Sequence, residues 1–253
     1  GKSLVTSMLA VTMQRRGFKT AILDADITGP SIPKCFGIHE KAMGSDDGLF
    51  PVNTKTGIET MSINELLPDE TSPVVWRGPV IAGVVTQFWT DVVWGDVDYM
   101  FVDMPPGTGD IQLTLSQQVP LTGAVVVTTP QDIALIDAKK GLRMFQKVNV
   151  PILGIIENMS VFICPHCGEV EHIFGEGGAK RMSEQYGVPL LGELPLSAKI
   201  REQADSGLPT VAAEPDGKEA LMYREMAMKV AGALARITKD YTAKMPGIRV
   251  VND

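Results

Sequence analysis

Tyr99-Met100-Phe101-Val102-Asp103-Met104-Pro105-Pro106-Gly107-Thr108-Gly109-Asp110 is the stretch whose pattern settles the architecture. Four apolar residues run straight into an aspartate and then into a turn rich in proline and glycine. A near-continuous apolar run is what a strand covered on both faces needs, and such strands belong to parallel sheets flanked by helices. Ligands of these sheets sit at the carboxyl ends of the strands, where Asp103 falls. A strand-end Asp followed by a Gly-rich turn can set a backbone N–H against a terminal phosphate, which makes the turn a switch. The rival reading is a strand-to-helix turn whose Asp only caps the next helix.

The same design repeats outward from this stretch. Thr20–Leu23 runs into Asp24-Ala25-Asp26, Ala124–Val127 into Thr128-Thr129-Pro130, and Ile152–Ile156 into Glu157-Asn158. Leu190-Leu191-Gly192-Glu193-Leu194-Pro195 supplies a last run. Helix-length segments lie between them, at about Ser3–Arg16, Pro79–Val93, Ile133–Lys147, Gly177–Tyr186 and Lys218–Thr238. The alternation predicts an α/β fold, a doubly wound and mainly parallel sheet flanked by helices. Ile38 to Thr71 is poorer in pattern, with Gly57–Ile63 readable as a hairpin strand. With no internal repeat and no long linker, one domain is expected over residues 1–253, with 241–253 a loosely held tail.

Composition narrows the function. The chain has 253 residues, 44% apolar and 21% charged, with a formal net charge of −7. That balance suits a globular protein and argues against nucleic-acid binding, which wants a basic face. No apolar run approaches the roughly 18 residues that span a membrane. With Cys35, Cys164 and Cys167 the only cysteines, a disulfide framework is not expected, and a reducing cytoplasm is the expected compartment.

Gly1-Lys2-Ser3 opens an apolar-periodic helix, as the end of a phosphate loop does. The strand and glycines of such a loop would precede Gly1, so the sequence is expected to begin inside it. In P-loop enzymes the Lys meets the β- and γ-phosphates, the following Ser binds Mg²⁺, and a strand-end Asp holds the metal from the other side. Lys2, Ser3 and Asp103 have those types in that order. Asp24-Ala25-Asp26-Ile27-Thr28-Gly29-Pro30-Ser31-Ile32-Pro33 is a further motif at a strand end. Asp24, two residues before Asp26 at the strand end, is read as supporting the loop rather than meeting the phosphates.

These motifs, with Trp76-Arg77-Gly78-Pro79, Asn158-Met159-Ser160, Ile163-Cys164-Pro165-His166-Cys167-Gly168, Phe174–Gly178 and Gly192–Pro195, span nearly the whole chain. The sequence resembles the Mrp-type iron–sulfur cluster carrier ATPases, deviant (SIMIBI-like) P-loop NTPases related to the MinD/ParA proteins and the nitrogenase iron protein. The resemblance implies ATP and Mg²⁺ as ligands. It places Asp26 near the γ-phosphate, positioning the attacking water, and has Gly107 offer its N–H there. Gly1, Lys2 and Ser3 would hold the phosphates. Asn158 would read the adenine edge, its amide carrying both a donor and an acceptor, with Pro195 and Leu196 flanking the base. A strand-end turn is the plainer reading of Asn158.

Cys164 and Cys167 form a knuckle of two soft ligands. One reading is a [4Fe–4S] cluster shared across a two-fold axis, two thiolates from each chain of a homodimer. A second is zinc, shared the same way or completed by His166 or His172. A third is a reducible thiol pair. Cys35 reads as a half-buried structural thiol. The expected activity is slow ATP hydrolysis coupled to passing a labile cluster to apo iron–sulfur proteins, with no nucleic-acid or membrane partner. The rivals are a MinD/ParA-like positioning ATPase with a structural zinc knuckle, and an ATP-driven reductase. The first wants a basic amphipathic C-terminal helix that Ala235–Asp253 does not spell, and the second wants cluster cysteines far apart in sequence.

Overall fold

A computed structural model describes residues 1–68, 76, 78–107 and 109–237. The chain enters through helix α1 (Lys2–Arg15) and strand β1 (Thr20–Asp24). A short helix α2 (Ile32–Phe36), the hairpin β2 (Met43–Ser45) and β3 (Gly48–Phe50), then β4 (Val52–Asn53) and β5 (Glu59–Met61) follow. Next come a 3-10 turn over Ile63–Glu65, α3 (Gly78–Thr90), β6 (Tyr99–Asp103), α4 (Asp110–Gln118), β7 (Ala124–Thr128), α5 (Asp132–Lys147) and β8 (Ile152–Glu157). The hairpin β9 (Phe162–Ile163) and β10 (Val170–Glu171) precedes α6 (Gly178–Tyr186), β11 (Leu190–Glu193), α7 (Ala198–Asp205), α8 (Thr210–Ala213) and α9 (Lys218–Ala235).

Strands β5, β1 and β6 pair in parallel, with β4 antiparallel on the outer edge of β5. Strands β11, β8 and β7 form a second parallel block. The expected parallel sheet is therefore present as two hydrogen-bonded blocks that end on β6 and β7. The segment Gly57–Ile63 is a hairpin strand only toward β4; its other edge continues the parallel ladder of β1. The tail at 241–253, Arg77 and Thr108 lie outside the described residues.

Side chains of successive strand residues go to opposite cores, as a period of two requires. Ile22 and Ile156 face a core with Val5, Met8 and Leu9 of α1 and Tyr223 and Met226 of α9. Leu23 faces the other way, toward Ile81, Val85 and Phe88 of α3 and Leu115 of α4. Ile155 meets Leu135 and Leu142 of α5 and Met182 of α6. Helix α1 is buried around most of its circumference because it packs against β1, β6 and α9 together. A helix fixed on so many sides holds its N-terminus, with Lys2 and Ser3, rigidly beside the strand ends.

Gly154 sits where β8 slips register against β7, at φ 155°. A Cβ there would lie 2.5 Å from Leu191 Cγ and 2.7 Å from the Pro189 carbonyl. Backbone strain and overpacking each cost about 1–3 kcal/mol, so Gly154→Ala is expected to lose about 2–4 kcal/mol of stability. Urea unfolding would show it as a lower midpoint, and an unchanged midpoint would mean that β11 moves aside freely.

Candidate functional site

The ends of β1 and β6 lie level, with Asp24 registered against Asp103. Asp103 is buried, and burial pushes its carboxyl above the ordinary range. The Ser3 and Thr6 hydroxyls and the Lys2 charge pull it back, while Asp26 pushes it up as a like charge. Its Oδ1 accepts from the Thr6 hydroxyl at 3.2 Å. Its Oδ2 is buried with no hydrogen-bond partner, and the Ser3 hydroxyl is near enough to the carboxyl to lower its pKa. An orphaned carboxylate oxygen facing a hydroxyl is a donor set of the hard, oxygen kind that Mg²⁺ takes. The geometry therefore brings Lys2, Ser3, Asp26 and Asp103 into one electrostatic neighbourhood and suits the metal there.

Asp26 is half-exposed, and its Oδ1 accepts from the Thr28 hydroxyl and the Gly29 N–H, both at 3.1 Å. Asp24 is buried beneath the same loop. It accepts from the Asp26 N–H at 3.2 Å, the Ser62 hydroxyl at 3.1 Å and the Ile32 N–H at 3.4 Å. Burial, with Asp103 nearby, raises the Asp24 carboxyl well above its usual range. Ser62 in turn begins a capping box closed by Glu65, whose carboxylate also takes the Thr60 hydroxyl at 2.7 Å. Burial lifts Glu65 to about 7. Thr6, Ser62 and Glu65 were not singled out from the sequence. Thr6 lies one helical turn beyond Lys2 and Ser3, and Ser62-x-x-Glu65 spells the capping box in plain sequence.

After Asp103 the chain turns through Gly107, held at φ 92°, and Gln112 Nε2 donates back to the Pro106 carbonyl. Gly107 is exposed and set apart from the hydrogen bonds around Asp103. On the other block, Asn158 follows β8 and is tied to the end of β7 by its N–H to the Thr128 carbonyl at 2.7 Å. Its Oδ1 accepts from the Met159 N–H at 2.9 Å, closing a turn that puts Met159 at φ 56°. A Cβ at position 1 would meet the Asn158 amide nitrogen, so the start of α1 lies directly against this side chain. Pro195 and Leu196 are half-buried after β11, and Leu196 bonds back to Val161 at 2.8 Å. The phosphate-side and base-side candidates thus meet at Gly1.

The knuckle stands at the tip of β9 and β10. Gly168 N–H donates to the Cys164 carbonyl at 2.9 Å, and Cys164 N–H to that of Glu169 at 2.9 Å. The backbone N–H groups of Cys167 and His166 face the Cys164 sulfur and lower its thiol pKa, which favours the thiolate that binds metal. Among the described residues no three His, Cys, Asp or Glu side chains come together as a metal-holding group. Neither His166 nor His172 therefore joins the two thiols as a third ligand among the described residues. The His172 ring is taken up by the Ser160 carbonyl at 3.2 Å. Cys35 is half-buried, its thiol pushed up by burial. No helix among the described residues is long and apolar enough to cross a membrane.

A family model for NUBPL iron-transfer P-loop NTPases of the ParA group matches residues 1–231. The chain is 51% identical over 230 residues to the iron-sulfur cluster carrier protein of Pseudomonas fragi, across 90% of this chain and 80% of that one. Among solved structures it resembles the nucleotide-binding protein of Archaeoglobus fulgidus in complex with ADP. The TM-score is 0.74 and the identity 39%, over 87% of this chain and 85% of that one. The cell division ATPase MinD of Pyrococcus furiosus superposes with a TM-score of 0.68 at 20% identity, over 92% of this chain and 93% of that one, and so shares the fold.

Proposed function

The chain belongs to the NUBPL iron-transfer P-loop NTPases, and from that premise we propose that it is an ATP-hydrolysing carrier of iron–sulfur clusters. It holds a labile [4Fe–4S] cluster between two chains and passes it to apo iron–sulfur proteins in the cytoplasm. The observation that carries this reading is the knuckle, with Cys164 half-buried and Cys167 exposed and no third ligand beside them among the described residues. A [4Fe–4S] cluster takes four thiolates, which two such knuckles supply.

ATP would lie with its phosphates over Gly1, Lys2 and Ser3 and its adenine between Asn158 and the Pro195-Leu196 segment. Mg²⁺, when bound by Ser3 and Asp103, supplies neutralisation of charge on the β- and γ-phosphates. Lys2 adds a second positive charge at the transferring group. Asp26, fixed by Thr28 and Gly29, holds the attacking water in line. Gly107 offers its N–H to the γ-phosphate, so hydrolysis releases the Asp103–Asp110 turn. The turn and the Asp26 loop then set how the two chains meet, and with it how exposed the cluster is. Hydrolysis is slow in this reading, in step with the passing of a cluster to its acceptor.

The test is anaerobic reconstitution of the full-length protein with iron and sulfide. Iron and acid-labile sulfide, each near four per two chains, and restored activity of an apo acceptor enzyme after mixing are the expected results. A protein that takes up zinc but no sulfide overturns the carrier reading.

A further inference from the structure

We infer that the cysteine knuckle responds to occupancy of the base site through its own main chain, with His172 as the positioning residue that pins the two together. The inference rests on the reading of Asn158 and Leu196 as the base site.

Three extended segments run side by side from the base-side turn to the knuckle. The middle one, 160–163, leads directly from Ser160 to Cys164. On one side Ser160 gives both its N–H and its hydroxyl to the Leu194 carbonyl, at 2.9 and 3.1 Å. Leu196 N–H donates to the Val161 carbonyl at 2.8 Å, and Phe162 bridges Leu196 in parallel. On the other side Ile163 pairs with Val170 and Phe162 with Glu171. As the chain leaves β10, the His172 ring turns back to the Ser160 carbonyl, with Nδ1 at 3.2 Å from the oxygen. A carbonyl can only accept, so Nδ1 carries the proton of that bond. The outer segment is thereby fastened to the middle one at the base end, and its pairing at the tip keeps the knuckle in step with Ser160.

The turn at the head of this ribbon is poised to move. Met159 is a non-glycine residue at positive φ, held there by the Asn158 side chain, whose Oδ1 takes the Met159 N–H at 2.9 Å. A base that recruits the Asn158 amide draws on the group that holds Met159 in this conformation, and Ser160 is the next residue. The Asp103–Asp110 turn, by contrast, makes no hydrogen bond to the ribbon among the described residues. The ribbon therefore reads the base and not the γ-phosphate. ADP and ATP are expected to act on the knuckle alike within one chain, and γ-phosphate sensing is left to the contact between chains.

Hydrogen exchange read by mass spectrometry on the cluster-free full-length protein tests this, with ADP and a non-hydrolysable ATP analogue as probes. Exchange across Val161–Glu171 is expected to change at least fivefold, equally with both nucleotides. In His172→Ala the change at Cys164–Gly168 disappears, while ADP affinity and protection of the Asn158–Ser160 turn stay within twofold of the unmodified protein. His172→Asn, whose amide N–H reaches the same carbonyl, restores the response. A knuckle that answers only the ATP analogue, or answers ADP undiminished in His172→Ala, overturns the inference and leaves the carrier reading standing. A protein that binds no ADP overturns the base-site reading and the inference with it. Failure of iron and sulfide loading overturns the carrier reading alone, since the exchange readout needs no cluster.

Discussion

Asp26→Asn is expected to lower ATP turnover by about 10²–10³-fold while leaving ATP affinity within a few-fold. An asparagine Oδ1 can still accept from the Thr28 hydroxyl and the Gly29 N–H, the two groups that fix the aspartate. The loop keeps its shape, and what disappears is the negative charge that orients and polarises the water. Phosphoryl transfer leaves the protein little to do beyond positioning and electrostatics, so a charge at the attacking side carries much of the rate. In the proposed site Lys2, Ser3 and Asp103 hold nucleotide and metal without Asp26, which is why binding is expected to survive. Asp24→Asn is the control with the opposite signature. That side chain is buried and braced by Ser62, Ile32 and Asp26, so its loss is read first in the unfolding midpoint. Phosphate release under saturating ATP, with calorimetric affinity measured alongside, separates the two. Unchanged turnover in Asp26→Asn removes that residue from the chemistry.

Which parts of this arrangement could be read in advance follows from the physics of each element. The strands ending in Asp24 and Glu157 announce themselves because burial on both faces demands unbroken apolar runs, and the run before Asp103 reads the same way although Tyr99–Val102 are half-buried. Helix α5 was equally plain, with its apolar residues on one stripe. Helix α4 was not, because Asp110–Gln118 mixes polar and apolar residues with little periodicity and is held by packing on α3. The hairpin strands β2, β3, β9 and β10 are two or three residues long, too short for any period to emerge. The partners that brace Asp24 were hidden for another reason. Asp24, Ser62 and Glu65 meet only because β5 pairs with β1, a long-range contact that no local pattern encodes. The same holds for Gly1 against Asn158, which joins the two ends of the site across most of the chain.

Replacing Cys164 and Cys167 together by Ala is expected to abolish iron and sulfide uptake and to leave ATP binding within about twofold. The knuckle lies at a hairpin tip, away from Lys2, Ser3 and Asp103, and its thiols take no part in the bonds that brace the base-side turn. Truncating them therefore removes ligands without removing packing. The oligomeric consequence is sharper than the loss of metal. With two thiolates per chain and no third ligand among the described residues, the proposed [4Fe–4S] cluster draws its other two thiolates from a second chain. The loaded protein is expected to sediment as a dimer carrying one cluster per two chains, and to shift toward monomer when a chelator strips the iron. Binding to the assembled state alone stabilises that state by mass action, so a cluster held tightly pulls the monomer–dimer equilibrium with it. The double variant, without this link, is expected to sediment alike with and without iron and sulfide. Zinc held by one chain would give one metal per monomer and an assembly indifferent to chelation. A monomer that carries four irons and four sulfides would rule out the bridged site and, with it, the route by which hydrolysis alters how the chains meet and so reaches the cluster.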